Sequence, residues 1–235
     1  MIRKNITRLY SYFSLQERIL WALSILLILT SFFVFGSGSV LSLIASLIGA
    51  TALIFCAKGN PIGQLLMVAF SMLYAVISLS YAYYGEVFTY MGMSLPMATV
   101  AFVSWMRHPH KGNKAEVSIN RLRGRELLVI LVLAAIVTCV FYWILAYFNT
   151  TNLAVSTFSV ATSFFAACLI FRRSPYFALA YALNDVVLIV LWVLASIEDI
   201  SYLSVVICFI TFLANDLYSF FNWQRMERRQ RRELA

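Results

Sequence analysis

The chain has 235 residues, of which 62% are hydrophobic and 12% are charged, and it carries a net charge of +8 at pH 7. Its mean hydropathy of +0.85 excludes an ordinary soluble domain, in which roughly 45–50% of residues are apolar. The apolar runs are continuous rather than alternating, which excludes a membrane β-barrel. The composition therefore predicts an all-α protein embedded in a lipid bilayer.

Runs of about 20 apolar residues are long enough to cross a bilayer as helices, and the chain contains about eight such runs. In chain order the predicted spans are 17–36, 39–57, 61–84, 87–106, 126–148, 153–171, 175–196 and 201–222. A short basic and aromatic arm precedes them at 1–16, a polar linker interrupts them at 107–125, and a basic tail follows at 223–235.

Two stretches of the chain are copies of one another. Residues 39–61 align without a gap onto 153–175, and each copy ends in a basic turn followed by proline. Each copy then closes on a tryptophan with an arginine two positions later, at Trp105 and Trp223. The duplication predicts two three-helix bundles that are parallel because a single linker helix separates them, a construction typical of transporters. The predicted units are 1–106 (arm, extra N-terminal helix and first bundle), 107–125 (cytoplasmic linker), 126–148 (linker helix), 149–222 (second bundle) and 223–235 (tail).

Lysine and arginine are confined to alternate connections between the predicted helices. The turns between those connections hold only acidic charge, at Glu86, Glu198 and Asp199. By the positive-inside rule, this distribution predicts that both termini are cytoplasmic. The net positive charge is then a signal of topology, and we expect no nucleic-acid partner. The basic residues are Arg3, Lys4, Arg8, Arg18, Lys58, Arg107, Lys111, Lys114, Arg121, Arg123, Arg125, Arg172, Arg173, Arg225, Arg228, Arg229, Arg231 and Arg232.

Nothing in the pattern favours catalysis or a cofactor. The cysteines lie inside predicted helices at wide spacings, and His108 and His110 lie in the linker without a third ligand nearby. No glycine-rich phosphate loop precedes a helix. A membrane-embedded enzyme needs a nucleophile with a base, or a metal cluster, on facing helices. We therefore predict a transporter with no catalytic residues, no metal and no cofactor.

Ionisable residues at bilayer depth are candidate site residues, because each costs roughly 2.5–3.5 kcal/mol to insert. Asp185 and Asp216 are such residues, and each follows an asparagine. Polar and aromatic side chains share a helical stripe with Asp185, and Ser71 is its equivalent in the first repeat. The predicted substrate-binding residues are Gln64, Ser71, Tyr74, Tyr181, Asn184, Asp185, Trp192, Asn215 and Asp216.

A structural role for these polar residues is the competing interpretation. An asparagine or aspartate can bridge two helices for roughly 1–2 kcal/mol or less. It can also satisfy backbone groups that are loosened by Pro61, Pro96 or Pro175. The sequence leaves both roles open for Asp185 and for Asp216.

Four segments of the chain resemble the PnuC nicotinamide riboside transporters of bacteria. They are NPIGQLLMVAFSMLYAVISLSYAYYGE (60–86), GMSLPMATVAFVSWMRHP (92–109), SPYFALAYALNDVVLIVLWVLASIEDISYLSVVICF (174–209) and FLANDLYSFFNWQRM (212–226). The resemblance implies a fold like that of the sugar-transporting SWEETs, with two three-helix bundles joined by a linker helix. It also implies a homotrimer in the cytoplasmic membrane. The implied activity is facilitated diffusion of nicotinamide riboside, which a kinase on another chain then traps.

The chain departs from the pattern of this family in the helix that ends the first bundle. Many members have Pro-Met-Gln-x-x-Gly-Trp-x-x-Trp there, whereas this chain has Ala98 and Phe102 in place of the glutamine and the first tryptophan. A tryptophan pair of some members is reduced to Trp192 alone. These changes bear on the cargo, so a same-fold transporter of thiamine, riboflavin or a deoxynucleoside is the alternative.

Overall fold

A computed structural model of the protein describes residues 12–35, 39–80 and 84–233. Within those ranges, eight helical spans are long and apolar enough to cross a membrane, which confirms the predicted all-α membrane fold. The helices are α1 (Leu15–Phe35), α2 (Val40–Ala57), α3 (Pro61–Ser80), α4 (Tyr84–Phe88), α5 (Leu95–Arg107), α6 (Gly124–Tyr147), α7 (Leu153–Phe171), α8 (Phe177–Glu198) and α9 (Leu203–Arg232). Most of the predicted arm, residues 1–11, lies outside the described residues.

The fourth span is not a uniform α-helix. A π-helical segment, Thr89–Ser94, joins α4 to α5. Pro96 stands at the start of α5 and has no backbone N–H to donate to the preceding turn, so the regular ladder is interrupted there. Pro96 thus coincides with a local widening of the helix, which the apolar pattern alone does not indicate.

The last helix is longer than the sequence predicts. We expected a span ending near residue 222 followed by a tail, but α9 continues to Arg232. Glu227 and Arg231, one turn apart, form an ion pair of 2.6 Å. Gln230 is buried, and its Nε2 donates to the carbonyl of Val117 over 3.0 Å. The tail is helical because it packs on the linker instead of extending into solvent.

The linker forms a short β-hairpin rather than an irregular loop. Strands β1 (Pro109–His110) and β2 (Asn113–Val117) pair antiparallel. Lys111 and Gly112, at the turn, both have positive φ, which tight hairpins require. The described residues contain no other strands, so the hairpin leaves the all-α classification unchanged.

Two tryptophans form crossed hydrogen bonds between the predicted repeats. Trp105 Nε1 donates to the Ile170 carbonyl over 3.0 Å, and Trp223 Nε1 donates to the Cys56 carbonyl over 2.9 Å. Cys56 and Ile170 are equivalent positions in the internal alignment, and the two tryptophans are the residues on which the two copies close. The indoles are fully buried, with centroids 5.4 Å apart. Each tryptophan therefore caps the end of a helix in the other half of the chain.

A second pair of hydrogen bonds joins the same segments. Its donors are the residues just before the two tryptophans, and its acceptors are the residues just after Cys56 and Ile170. Ser104 Oγ donates to the Phe171 carbonyl over 3.0 Å, and Asn222 Nδ2 donates to the Ala57 carbonyl over 2.8 Å. Ala57 and Phe171 are again equivalent positions. The arrangement of two parallel repeats remains a prediction, and these matched contacts are what such an arrangement requires.

The extra N-terminal helix is fixed by polar contacts. α1 packs against α2 and α9. Glu17, at its start, forms an ion pair of 3.1 Å with Lys58. Near its middle, Ser24 Oγ accepts a hydrogen bond of 2.8 Å from Asn215 Nδ2. These two polar contacts therefore fix the rotation of α1 about its own axis.

Candidate functional site

A cavity of about 170 Å³ lies between the two halves of the protein. Its walls come from α2, α3, the α4–α5 segment, α6, α7, α8 and α9. The wall nearest the basic end of the protein includes Cys56 and Ile170, the residues whose carbonyls accept the crossed tryptophan bonds. The cavity contains six of the predicted site residues, which are Gln64, Ser71, Tyr181, Asn184, Asp185 and Asp216.

The only acidic or basic residue types in the lining are aspartate and glutamate. Glu86, Asp185 and Asp216 contribute carboxyl groups, and the lining residues include no lysine, arginine or histidine. Glu86 was not predicted as a site residue, because the apolar pattern placed it in a turn between helices. In the structure it lies in the first turn of α4 and lines the cavity. Such a lining attracts a cation and repels a phosphate.

Asp185 and Asp216 meet across the contact of α8 with α9. Their exposures are 4% and 3%, and the two side chains are within hydrogen-bonding range of each other. The Oδ2 atom of Asp185 is buried and has no hydrogen-bond partner among the described residues. Leaving such an atom unpaired costs about 1–3 kcal/mol, so a bound ligand that satisfies it gains that amount.

Asn184 is held at the cavity wall by α7. Its Oδ1 accepts hydrogen bonds from Thr162 Oγ1 over 2.8 Å and from Ser159 Oγ over 3.4 Å. Asn184 is one residue from Asp185, so these bonds also fix the rotation of α8 at the depth of the carboxyl pair. This placement agrees with the stripe that the sequence predicts on this helix.

Besides Glu86, the first repeat contributes neutral polar groups. Gln64 is 2% exposed, and its Nε2 lies 3.2 Å from Cys56 Sγ. Ser71 donates to the carbonyl of Met67 over 2.9 Å, one turn earlier in α3. Ser71 and Asp185 both line the cavity, as their equivalence in the alignment predicts. The two repeats therefore offer different chemistry from equivalent positions.

Three predicted site residues, Tyr74, Trp192 and Asn215, do not reach the cavity lining. Tyr74 packs behind the lining, with its ring 4.6 Å from that of Phe70. Trp192 packs on Tyr202 at a centroid distance of 5.4 Å.

Asn215 faces α1 instead of the cavity. Neighbouring residues of a helix point about 100° apart, and on α9 this rotation turns Asn215 toward α1 while Asp216 lines the cavity. Its Nδ2 donates to Ser24 Oγ and to the Thr211 carbonyl, over 2.8 Å and 2.7 Å. The sequence stripe was too broad to separate these two neighbours.

The protein is similar to known membrane transporters along most of its length. A family described as "Nicotinamide mononucleotide transporter" matches residues 39–225. A relative from Neisseria mucosa, named nicotinamide riboside transporter PnuC, is 27% identical over 214 residues, covering 89% of this chain and 81% of the relative. The crystal structure of a vitamin B3 transporter PnuC superposes with a TM-score of 0.77 at 22% identity, covering 93% of this chain and 94% of that one. The chain therefore belongs to the nicotinamide mononucleotide transporter family, the PnuC family of multi-pass bacterial membrane proteins, which confirms the predictions of family and of a transporter rather than an enzyme.

Proposed function

We propose that this protein carries nicotinamide riboside across the bacterial cytoplasmic membrane by facilitated diffusion. The observation that carries the proposal is the cavity between the two bundles, which combines three carboxyl groups with no basic residue. Nicotinamide riboside has one fixed positive charge on its pyridinium ring and uncharged hydroxyl groups on its ribose. The relative from Neisseria mucosa, which is named for this cargo, supports the assignment.

Each part of this cargo has a matching group in the cavity. The unpartnered Oδ2 of Asp185 suits the pyridinium charge. The rings of Phe177 and Tyr181 offer surfaces for an aromatic cargo. Gln64 and Ser71, on the opposite wall, suit the ribose hydroxyl groups. We therefore infer that the ring binds beside α8 and the sugar beside α3.

The same lining favours the riboside over the mononucleotide. A phosphate adds up to two negative charges, and the described cavity offers no lysine or arginine to bind them. Placing a phosphate near three carboxyl groups in a buried site adds repulsion to the loss of its hydration. We infer that cargo enters without its phosphate and that a kinase on another chain traps it afterwards.

Uptake into vesicles that contain the purified protein tests this proposal. We expect labelled nicotinamide riboside to equilibrate without ATP and in the presence of an uncoupler, whereas the mononucleotide stays outside. Asp185→Asn should weaken riboside binding tenfold or more, since a charged hydrogen bond contributes about 1.5–3 kcal/mol. Asp199→Asn is the matched control, because Asp199 is exposed in the turn between α8 and α9.

Two results would contradict the assignment. If Asp185 only bridges helices, Asp185→Asn should lower the thermal stability and leave riboside affinity unchanged relative to a neutral nucleoside. If uptake collapses with the uncoupler in kinase-free vesicles, transport is not passive.

A different cargo on the same fold is the second candidate. Ala98 lines the cavity at the position where many family members have glutamine, so this wall has lost a hydrogen-bonding group. Thiamine also carries a fixed positive charge and therefore suits an acidic cavity. Riboflavin and deoxynucleosides carry no such charge and do not need a carboxyl group to bind. Competition of each compound against labelled nicotinamide riboside in the same vesicles ranks these cargoes.

We further propose that the basic end of the protein faces the cytoplasm. Three basic connections contact one another at this end of the bundles. Val117 N, in the linker, donates to the carbonyl of Gly59 over 2.9 Å, and Asn120 N donates to that of Arg173 over 3.1 Å. The C-terminal part of α9 packs on the same linker through Gln230. The positive-inside rule then supports cytoplasmic termini.

We also propose a homotrimer, on the strength of the resemblance to PnuC transporters. Many large apolar side chains of α1, α6 and α8 are exposed on the single chain, so lipid or neighbouring protomers must cover them. Native mass spectrometry of the protein released from membranes measures the state directly. A monomer at all concentrations would contradict the trimer and leave the transport proposal standing.

A further inference from the structure

Two buried side-chain N–H groups on the basic end of the protein have no hydrogen-bond partner among the described residues. They are Nε of Arg173 and Nδ2 of Asn120. The two residues lie on adjacent segments, since Asn120 N donates to the Arg173 carbonyl over 3.1 Å. A buried unpaired donor is costly, and more so when it is charged. An anion bound between these residues would satisfy both groups.

Arg173 also occupies a backbone conformation that disfavours it. Its φ is +57°, and its equivalent in the first repeat is Gly59, with a φ of +65°. Glycine adopts this left-handed conformation at no steric cost, whereas other residues are strained in it. Strain retained at a specific position points to a use for the side chain there.

The surroundings carry an excess of positive charge. Arg172 is paired with Glu126, and Arg121 is paired with Glu227. Arg173 takes part in no ion pair of the described chain. Partial burial and the adjacent Arg172 lower the pKa of the Arg173 guanidinium, which reflects the absence of a compensating carboxylate. The site therefore complements an anion.

An apolar groove of about 1080 Å³ begins beside this turn. Arg121 and Ser174, the sequence neighbours of Asn120 and Arg173, line this end of the groove together with Arg123 and Glu227. Its walls come from α6, α7, α8 and α9 and include Leu183, which is 53% exposed on the single chain. The groove therefore runs from the segments that hold Asn120 and Arg173 along the exposed apolar surface of these helices.

We propose that this groove binds an anionic phospholipid of the cytoplasmic leaflet, with its phosphate at Arg173 and Asn120 and an acyl chain against Leu183. Anionic lipids are abundant in the cytoplasmic leaflet, and each basic residue near its surface attracts them by about 1 kcal/mol. The lipid would join the linker to the turn between α7 and α8. The lipid site is separate from the cargo site, because the groove and the cavity share no lining residue.

Native mass spectrometry of the purified protein tests the proposal, with phosphatidylglycerol, phosphatidylcholine or inorganic phosphate added in turn. We expect phosphatidylglycerol to be retained and to raise the melting temperature, and the other two to have little effect. Arg173→Gln should weaken retention about fivefold. Arg123→Gln, which changes an exposed residue that lines the groove, tests the site if Arg173→Gln fails to fold. Arg228→Gln, which changes an exposed arginine of α9, should leave retention unchanged.

The groove is tested by filling it. Leu183→Trp should reduce retention of phosphatidylglycerol, whereas Leu79→Trp, which alters a similarly exposed leucine of α3, should not. Equal retention of both phospholipids, or equal stabilisation by inorganic phosphate alone, would overturn the proposal. Dissociation of oligomers by Leu183→Trp without any change in lipid retention would also overturn it, since a second copy of the chain would then occupy the groove.

Discussion

Replacing Trp223 by phenylalanine should open the cavity more often at the basic end of the protein. Trp223 is fully buried, and its Nε1 donates to the carbonyl of Cys56 over 2.9 Å. Phenylalanine keeps most of the packing but removes this donor, while the Cys56 carbonyl still accepts the bond from Gly59 N. The loss of one hydrogen bond costs about 0.5–1.5 kcal/mol in the closed state. If the crossed bonds break when the cavity opens, the open population rises about 2- to 13-fold.

Cys56 supplies the assay for this prediction. Its side chain lines the cavity and is 3% exposed, so it reacts with a thiol reagent only when the cavity opens. We would replace Cys139, Cys168 and Cys208 by alanine and add a membrane-impermeant maleimide to inside-out vesicles. The labelling rate of Cys56 should rise with Trp223→Phe in proportion to the open population.

Two further variants sharpen this experiment. Trp105→Phe removes the equivalent bond to Ile170 and should change the rate in the same direction, because the contacts are matched. Trp192→Phe changes a tryptophan that packs against Tyr202 and takes no part in these bonds, and it should leave the rate unchanged. A lower melting temperature with an unchanged Cys56 labelling rate would refute the reasoning, since the bonds would then persist in both states.

Two other predictions concern assembly and orientation. Asn215→Ala should destabilise the protein by about 1–3 kcal/mol in thermal unfolding, because the buried Ser24 hydroxyl of α1 loses the hydrogen bond from Asn215. The same variant should leave riboside affinity within twofold of the wild type. Reporters fused after residue 115 or at the C-terminus should show a cytoplasmic location, and one after Thr150 an external location. An external C-terminus would contradict the proposed orientation.

The helical spans could be predicted from sequence because the bilayer imposes a length and a composition on them. The apolar runs give α2, α6 and α7 nearly to the residue. The end of α9 was missed because its last three turns are rich in charged residues and are stabilised by the linker through Gln230 and Val117. A charged stretch is predicted to be an unstructured tail when the segment that it packs against is distant in the sequence.

The lining of the cavity could be predicted from the sequence only in part, and the binding roles of its residues remain predictions. The free-energy cost of placing an ionisable side chain in the bilayer singles out Asp185 and Asp216 in the sequence. The structure brings both into the lining of the cavity. That cost gives no rotation for α9, so Asn215 could not be distinguished from Asp216 as a lining residue. Glu86 was missed for the opposite reason, since a carboxyl group near a predicted helix end is usually exposed to water.

The internal duplication in the sequence is retained in the contacts that hold the helices together, but not in the side chains that line the cavity. Equivalent backbone carbonyls, those of Cys56 and Ile170, keep the same tryptophan contacts, because each half of the chain needs the other to cap its helix end. Side chains that do not serve this contact are free to differ. Ser71 and Asp185, at equivalent positions of the internal alignment, place a hydroxyl group and a carboxyl group in the cavity lining. A cargo with a charged ring and a neutral sugar requires such an asymmetric site, and two identical repeats could not provide it.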